Sequence, residues 1–381
     1  MTLFLLIYFS IYGGAHLYAF LKLKKGFALG LPAYIILSIF MILMVAAPIA
    51  VRIAERHGYE DLARGFAYIG FTWMGLLFIF ISASFFFDIY RLLHFLARML
   101  VQNPLEAFTL SIRNFCILAI LISFAVMTYG YFEALSIRTE HVTVKTPKIP
   151  ETIGRLRVVQ ISDVHLGLIV GKFRLSRILE KVKDARPDIL VSTGDLVDGQ
   201  MDELDTLTDM IKNIPTTYGK FAVTGNHEFY AGLNRALAFT KKAGFTILRG
   251  EGLTVSNILN IAGVDDPAGK RYGPNLVVSE KALLEKMPGD KFTLFLKHQP
   301  VISSESLGRF DLQLSGHTHK GQIFPFYLFT KLFYRMHSGL SKLTGNAMLY
   351  VSRGSGTWGP PVRFLSPPEV TIIDIIYKGI Q

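Results

Sequence analysis

Four long runs without a charged side chain fill most of the first third of the sequence, over residues 2–21, 26–51, 65–87 and 114–132. Each is near the ~20 residues that a helix needs to cross a bilayer core. Charge bounds them: Lys22, Lys24 and Lys25 follow the first, Arg52 the second, Arg64 and Asp88 flank the third, and Arg113 and Glu133 the fourth. The pattern predicts four transmembrane helices within residues 1–135, with a buried bundle in a soluble protein as the alternative. Residues 89–112 mix Tyr90, Leu92, Leu93 and Phe95 with Arg91, His94 and Arg98. They read as an extension of the third helix or as an interfacial helix, with His94 more an interface residue than a ligand. His16, polar within the first run, marks either function or a satisfied helix–helix contact.

The pattern then changes. Residues 136–155 hold Pro147 and Pro150 and alternate Val142 and Val144 with Thr143 and Lys145, predicting a linker and an edge strand. Beyond them, strand-length apolar runs alternate with helix-length amphipathic segments. Strands are expected at 156–161, 189–191, 221–223, 246–248, 258–262, 292–296, 312–314, 348–352 and 370–376. Helices are expected near 172–185, 203–213, 233–243, 279–286 and 302–308. Residues 156–381 are therefore expected to form a layered α-β-β-α sandwich, following an N-terminal multi-span helical region.

Composition supports this division. A hydrophobic fraction of 51% with 30 Phe is high for a soluble enzyme, and the excess lies in the first third. No positive side chain precedes the first apolar run, so a cleaved signal peptide is not expected. Cys116, the single cysteine, permits no intramolecular disulfide. The net charge of +11 divides as +3 over residues 1–136 and +8 beyond. That favours anionic membranes or substrates, and nucleic acid ranks low because no basic stripe with stacking aromatics stands outside the segment 324–342. With four spans, the N-terminus and the C-terminal domain share one side of the membrane. Basic residues near the helix ends number six on each side. The lysines after the first helix tip the reading toward an extracytoplasmic C-terminal domain.

Candidate chemistry sits where predicted strands run out. Five motifs occur in order: Asp163 and His165, Gly194 and Asp195, Gly225 through Glu228, His298, and Gly316 through His319. Five of the ten histidines belong to them. A sheet edge collecting Asp, Asn and His suits two divalent ions about 3.5–4 Å apart, an arrangement that activates water and clamps phosphoryl oxygens. Imidazole and carboxylate donors suit Mn, Fe or Zn. Asp195 is placed to bridge. Asp163 and His165 stand two apart, which on extended chain points both to one face, and His317 and His319 repeat the spacing. Asn226 offers a neutral carbonyl oxygen. His227 is free to touch phosphate or protonate a leaving alkoxide, with Glu228 as a candidate to orient it.

The order D-x-H, G-D, G-N-H-E, H, G-H-x-H resembles the calcineurin-like metallophosphoesterase superfamily. Gly263 to Pro267, Gly316 to Ile323, and the tail from Tyr350 through Gly356 with Arg363, Phe364, Pro368 and Glu369 narrow the resemblance. They point to a branch of membrane-associated phosphodiesterases and UDP-2,3-diacylglucosamine hydrolase-like enzymes. The likeness covers about residues 150–378. It implies a first metal held by Asp163, His165, Asp195 and His319, and a second by Asp195, Asn226, His298 and His317. It gives His227 the acid or phosphate-contact role. Lys320 departs from the pattern, standing where many relatives carry a second glycine.

Two features bear on substrate. Segment 324–342 mixes Phe324, Phe326, Tyr327, Phe329, Phe333 and Tyr334 with Lys331, Arg335 and Lys342. It is either a lip that takes an acyl-bearing substrate at the headgroup level or an ordinary packed loop. Lys320, Arg353 and Arg363 are expected to ring the pocket and meet phosphate oxygens. The sequence thus predicts a membrane-anchored, metal-dependent hydrolase of a phosphodiester or pyrophosphate, with a lipid-linked substrate in view. A sharper version is the UDP-2,3-diacylglucosamine pyrophosphatase of lipid A synthesis, which would require a cytoplasmic domain. A membrane sensor or scaffold is a third reading, disfavoured by the complete ligand set.

Overall fold

The computed structural model describes residues 2–100, 110–199, 205–273 and 278–379. Two compact units divide the chain: residues 1–132 with 359–362, and residues 133–358 with 363–381.

The first unit is helical. Helix α1 (Thr2–Tyr8), a π-helical turn (Phe9–Gly13) and α2 (Gly14–Phe27) follow one another without leaving helical backbone. Then come α3 (Leu31–Arg56), which opens on a proline at its first turn, α4 (Glu60–Leu100) and α5 (Ile112–Leu135). The last three are long and apolar enough to cross a membrane. The first apolar run is shared among α1, the π turn and α2 rather than carried by one long α-helix. At 41 residues α4 is about 60 Å long at 1.5 Å per residue, about twice a hydrocarbon core. The mixed residues after Asp88 are thus a continuation of the third helix as far as Leu100, and residues 101–109 lie outside the description. Lys22 and Tyr18 of α2 both bond Asp88 of α4. His16 is satisfied on both nitrogens, with Nδ1 2.8 Å from the Tyr12 carbonyl and Nε2 accepting from Trp73 Nε1 at 2.9 Å. It is a helix–helix contact.

The second unit is an α/β sandwich. Its order opens β1 (Arg138–Thr146), β2 (Arg155–Ile161), α6 (Lys172–Ala185), β3 (Ile189–Ser192), α7 (Asp205–Lys212) and β4 (Lys220–Ala222). It continues α8 (Asn226–Tyr230), α9 (Leu233–Lys242), β5 (Thr246–Ile247), β6 (Glu251–Val255), β7 (Leu259–Gly263) and α10 (Glu280–Leu284). It closes β8 (Phe292–Leu296), β9 (Leu312–Ser315), α11 (Tyr327–Phe333), β10 (Gly339–Lys342), β11 (Met348–Val351) and β12 (Glu369–Tyr377). One six-stranded mixed sheet runs β1-β12-β2-β3-β4-β5, the other β10-β11-β9-β8-β7-β6.

Burial explains the patterns. β3 and β8 are buried along their whole length, as expected of strands covered on both faces. β1 alternates, with Val142, Val144 and Thr146 inward, because one of its faces packs on the core and the other is open. Val158, Ile189 and Phe221 of one sheet share a core with Leu259, Leu294 and Leu312 of the other. On α6, Leu175, Ile178, Leu179 and Val182 fall at helical spacing and are buried, so one stripe seals the sheet's outer face.

Three expectations need adjustment. Residues 304–308 form hydrogen-bonded turns, not a helix. Ser306 Oγ bonds the Ser303 carbonyl, and serines that bond nearby backbone compete with helix. The helix expected over 203–213 is described only from Asp205, since residues 203–204 fall outside the description. Segment 324–342 is not wholly a loop: it supplies α11 and the edge strand β10.

Candidate metal centre

All the motif residues stand just past strand ends, and both sheets contribute. β2 leads to Asp163 and His165, β3 to Asp195, and β4 to Asn226 and His227 at the first turn of α8. β8 leads to His298, and β9 to His317 and His319. The residues do not project from extended chain. Asp163, His165, Asp195, His317 and His319 all have left-handed backbone, with φ of 50°, 55°, 52°, 73° and 48°. The alternation argument for Asp163 and His165 therefore fails. β2 ends at Ile161, and tight left-handed turns aim the side chains instead. Such conformations cost of order 1–3 kcal/mol each for non-glycine residues and cluster at functional sites.

Three groups of side chains converge, with donor atoms within 4.8 Å of one another: Asp163, His165 and His319; His165, Asp195 and His227; Asp195, His298 and His317. His165 Nε2 faces His319 Nε2 at 3.0 Å, and His317 Nδ1 faces His298 Nε2 at 3.1 Å. Asp195 Oδ2 lies 3.2 Å from His298 Nε2 and 3.8 Å from His165 Nε2, so it belongs to two groups. Asn226 Oδ1 is buried and meets no hydrogen-bond donor. Facing imidazole nitrogens, a shared carboxylate and an unpartnered amide oxygen form a buried donor set, and divalent cations fit it.

The supporting contacts are specific. Asp163 accepts from the His317 amide and the Ser162 hydroxyl. His298 Nδ1 lies 2.8 Å from the Thr193 carbonyl, which leaves Nε2 for the site. Glu228 does not orient His227. Its carboxylate accepts the backbone amides of Asp195, Leu196 and Gly225 at 3.0, 2.7 and 2.6 Å, tying the second motif to the third. A Cβ on Gly225 would run into the Asp195 carboxylate, which accounts for the glycine.

The partner of His227 is Asp198, whose Oδ1 lies 2.7 Å from His227 Nδ1 and 3.5 Å from His165 Nδ1. The sequence reading missed it. A second carboxylate three residues after Asp195 in the same loop was the available signal. Burial pushes the His227 pKa down, but Asp195 and Asp198 outweigh it and lift it to about 9. Burial alone would raise Asp195, yet His298 and His227 hold it well below the ordinary carboxylate range. Burial and the neighbouring His298 charge push His317 down to about 4. With Asp198→Asn, kcat on bis-p-nitrophenyl phosphate should fall about 10–100-fold, the usual loss when a group orienting a site residue is removed. An unchanged kcat would show that His227 needs no such partner.

The arginines expected at phosphate are elsewhere. Arg363 is fully buried. It donates to the carbonyls of Gly356, Arg353 and Ser366 and lies 3.1 Å from His319 Nδ1. Arg353 pairs with Glu140 and Glu369. Lys320 is half-buried beside His319 at φ 48°, a backbone region glycine adopts more easily. The outer walls are aromatic: Trp358 lies 5.7 Å from His227, Tyr230 5.5 Å from His227, and Tyr334 5.5 Å from His317, between ring centroids.

A two-sheet sandwich with buried His/Asp clusters at its strand ends defines a metal-dependent phosphoesterase. Residues 156–321 match the family described as calcineurin-like phosphoesterase. The chain is 42% identical to an uncharacterized metallophosphoesterase of Aquifex aeolicus, over 66% of this chain and 96% of that protein. It is 30% identical to one of Campylobacter jejuni, over 98% of both chains. A transmembrane protein with metallophosphoesterase domain from Danio rerio is 29% identical over 77% of this chain and 71% of its own. The chain belongs to the calcineurin-like phosphoesterase family.

Proposed function

We propose that the protein is a membrane-anchored phosphoesterase that hydrolyses a phosphodiester or pyrophosphate bond of a lipid-linked substrate at a dinuclear metal centre. The observation that carries it is the convergence of Asp163, His165, Asp195, His298, His317 and His319 from both sheets, with Asn226 Oδ1 buried and unpartnered. Asp163, His165, Asp195 and His319 would hold one ion, and Asp195, Asn226, His298 and His317 the other, with Mn, Fe or Zn suited to the donors. Bound ions supply Lewis acidity toward the phosphoryl oxygens and an activated water. The chain's own groups do the rest. Asp195 offsets charge between the two ligand sets. His227, held by Asp198 and carrying a proton, donates it to the leaving oxygen. Trp358 and Tyr334 limit water at the mouth.

Four membrane spans are proposed, with residues 2–27 as the first, residues 136–155 as linker and edge strand, and residues 156–381 as the catalytic domain. The orientation proposed puts the domain outside the cytoplasm, and the basic residues that follow the first helix support it. A sharper version makes the substrate UDP-2,3-diacylglucosamine. The tail motif around Arg353 and Arg363 and an apolar surface beside the site support it, and it requires the reverse orientation.

The test uses full-length protein in detergent with Mn, given bis-p-nitrophenyl phosphate and UDP-2,3-diacylglucosamine in parallel, with Asn226→Ala as control. Diester turnover lost in the control and on chelation, and restored by metal, is the expected result. Turnover of the nucleotide-lipid would establish the sharper version and a cytoplasmic domain. Failure on both esters with metal bound would leave a non-catalytic scaffold.

A further inference from the structure

We infer that α11 and its flanks insert into the headgroup layer of an anionic bilayer, holding the mouth of the site level with a lipid phosphate. This rests on the phosphoesterase reading for the role of the site, but not for the insertion itself.

α11 has no buried residue. Leu332 and Phe333 are 80% and 82% exposed, and Phe326, Leu328 and Phe329 are exposed beside them. A seven-residue helix is too short to hold its own shape in water, and one that is apolar nearly all round suits an apolar surrounding. The exposed patch exceeds the scattered apolar residues of an ordinary soluble surface.

Charge selects the occupant. No acidic residue occurs from 312 to 368, while Lys331, Arg335 and Lys342 are exposed around the apolar ridge. Apolar tips, aromatic rings and basic side chains together match the headgroup level of an anionic leaflet. The protein carries helices suited to a membrane, and only residues 136–137 separate α5 from β1. A bilayer is therefore the surface nearest to hand in sequence.

The ridge is built onto the site. Tyr334, the residue after α11, sits against His317. Thr318 donates to the His337 carbonyl at 2.6 Å, and the His337 ring lies 5.0 Å from Tyr327. Exposed Trp358 stands on His227. A substrate whose tails stay in the leaflet would present its phosphate between Tyr334 and Trp358.

The experiment uses full-length protein in nanodiscs of phosphatidylethanolamine and phosphatidylglycerol, in a Cys116→Ser background. An NBD label at Phe333→Cys, with Glu180→Cys on α6 as control, is read against headgroup-labelled nitroxide lipid and against aqueous iodide. Loss of most NBD fluorescence to nitroxide lipid at position 333 alone is expected. A label open to iodide and untouched by nitroxide would overturn the inference. A label shielded from both would assign the ridge to a protein partner or a second copy, and overturn it too. A second arm measures the Leu332→Asp, Phe333→Asp double variant. It should keep turnover of bis-p-nitrophenyl phosphate and lose most turnover of a diacylglycerol p-nitrophenyl phosphate in the disc. Equal turnover of the disc-bound ester by variant and parent would count against insertion. If the parent hydrolysed neither ester while the label was quenched, the insertion would stand and the phosphoesterase reading would fall.

Discussion

Asp195→Ala should remove hydrolysis, by about 10²–10³-fold or more, the scale on which loss of one preorganised electrostatic group acts. Asp195 is the one carboxylate placed in two of the three donor groups, and its Oδ1 also accepts the His227 amide at 2.8 Å. Truncation thus strips charge from both ligand sets and frees the backbone that positions the acid. Asp195→Asn separates these effects, because it keeps the acceptor for His227 and loses only the charge. Metal content by mass spectrometry should fall in both variants, while circular dichroism stays as in the parent. Retention of two ions and full turnover by Asp195→Asn would falsify the bridging role.

Arg363→Met should destabilise the phosphoesterase domain severely without touching substrate. The guanidinium donates to three buried carbonyls, and each orphaned group costs about 1–3 kcal/mol. Truncation also removes a buried cation, whose desolvation offsets part of that loss, so a net cost of about 3–5 kcal/mol is expected. At about 2–4 °C per kcal/mol for a domain of this size, Tm should drop by roughly 10 °C in a thermal melt. Arg363→Lys should recover little, since one ammonium cannot span the same fork. A normal Tm would overturn the structural role, and impaired turnover with it would assign Arg363 to the site, through His319 or the phosphate.

Arg363 illustrates what the sequence held and what it did not. The convergence of the candidate motifs was readable because each follows an apolar run of strand length, so that their loops gather at the sheet edges. The sandwich was readable for the same reason: β3 and β8 are mainly apolar runs, and α6 has a single stripe. The arginine was misread because side-chain type predicts charge but not burial. Its partners are carbonyls, which carry no sequence signature. Glu228 was misassigned because adjacency to His227 stood in for contact, whereas the first turn of α8 sends the two side chains apart. Asp198 lay within reach, spaced three from Asp195, but needed the loop's path to become a partner. The left-handed turns were illegible, since Asp and His mark them far less plainly than glycine does.

The division of candidate ligands between two sheets has an evolutionary reading. Residues 163–227 come from one sheet and 298–319 from the other, so neither half of the sandwich holds a complete set. A recombination event that exchanged one sheet alone would inherit half a centre and a bare hydrophobic face together. The chemistry and the folding of the domain therefore depend on the same seam between the sheets.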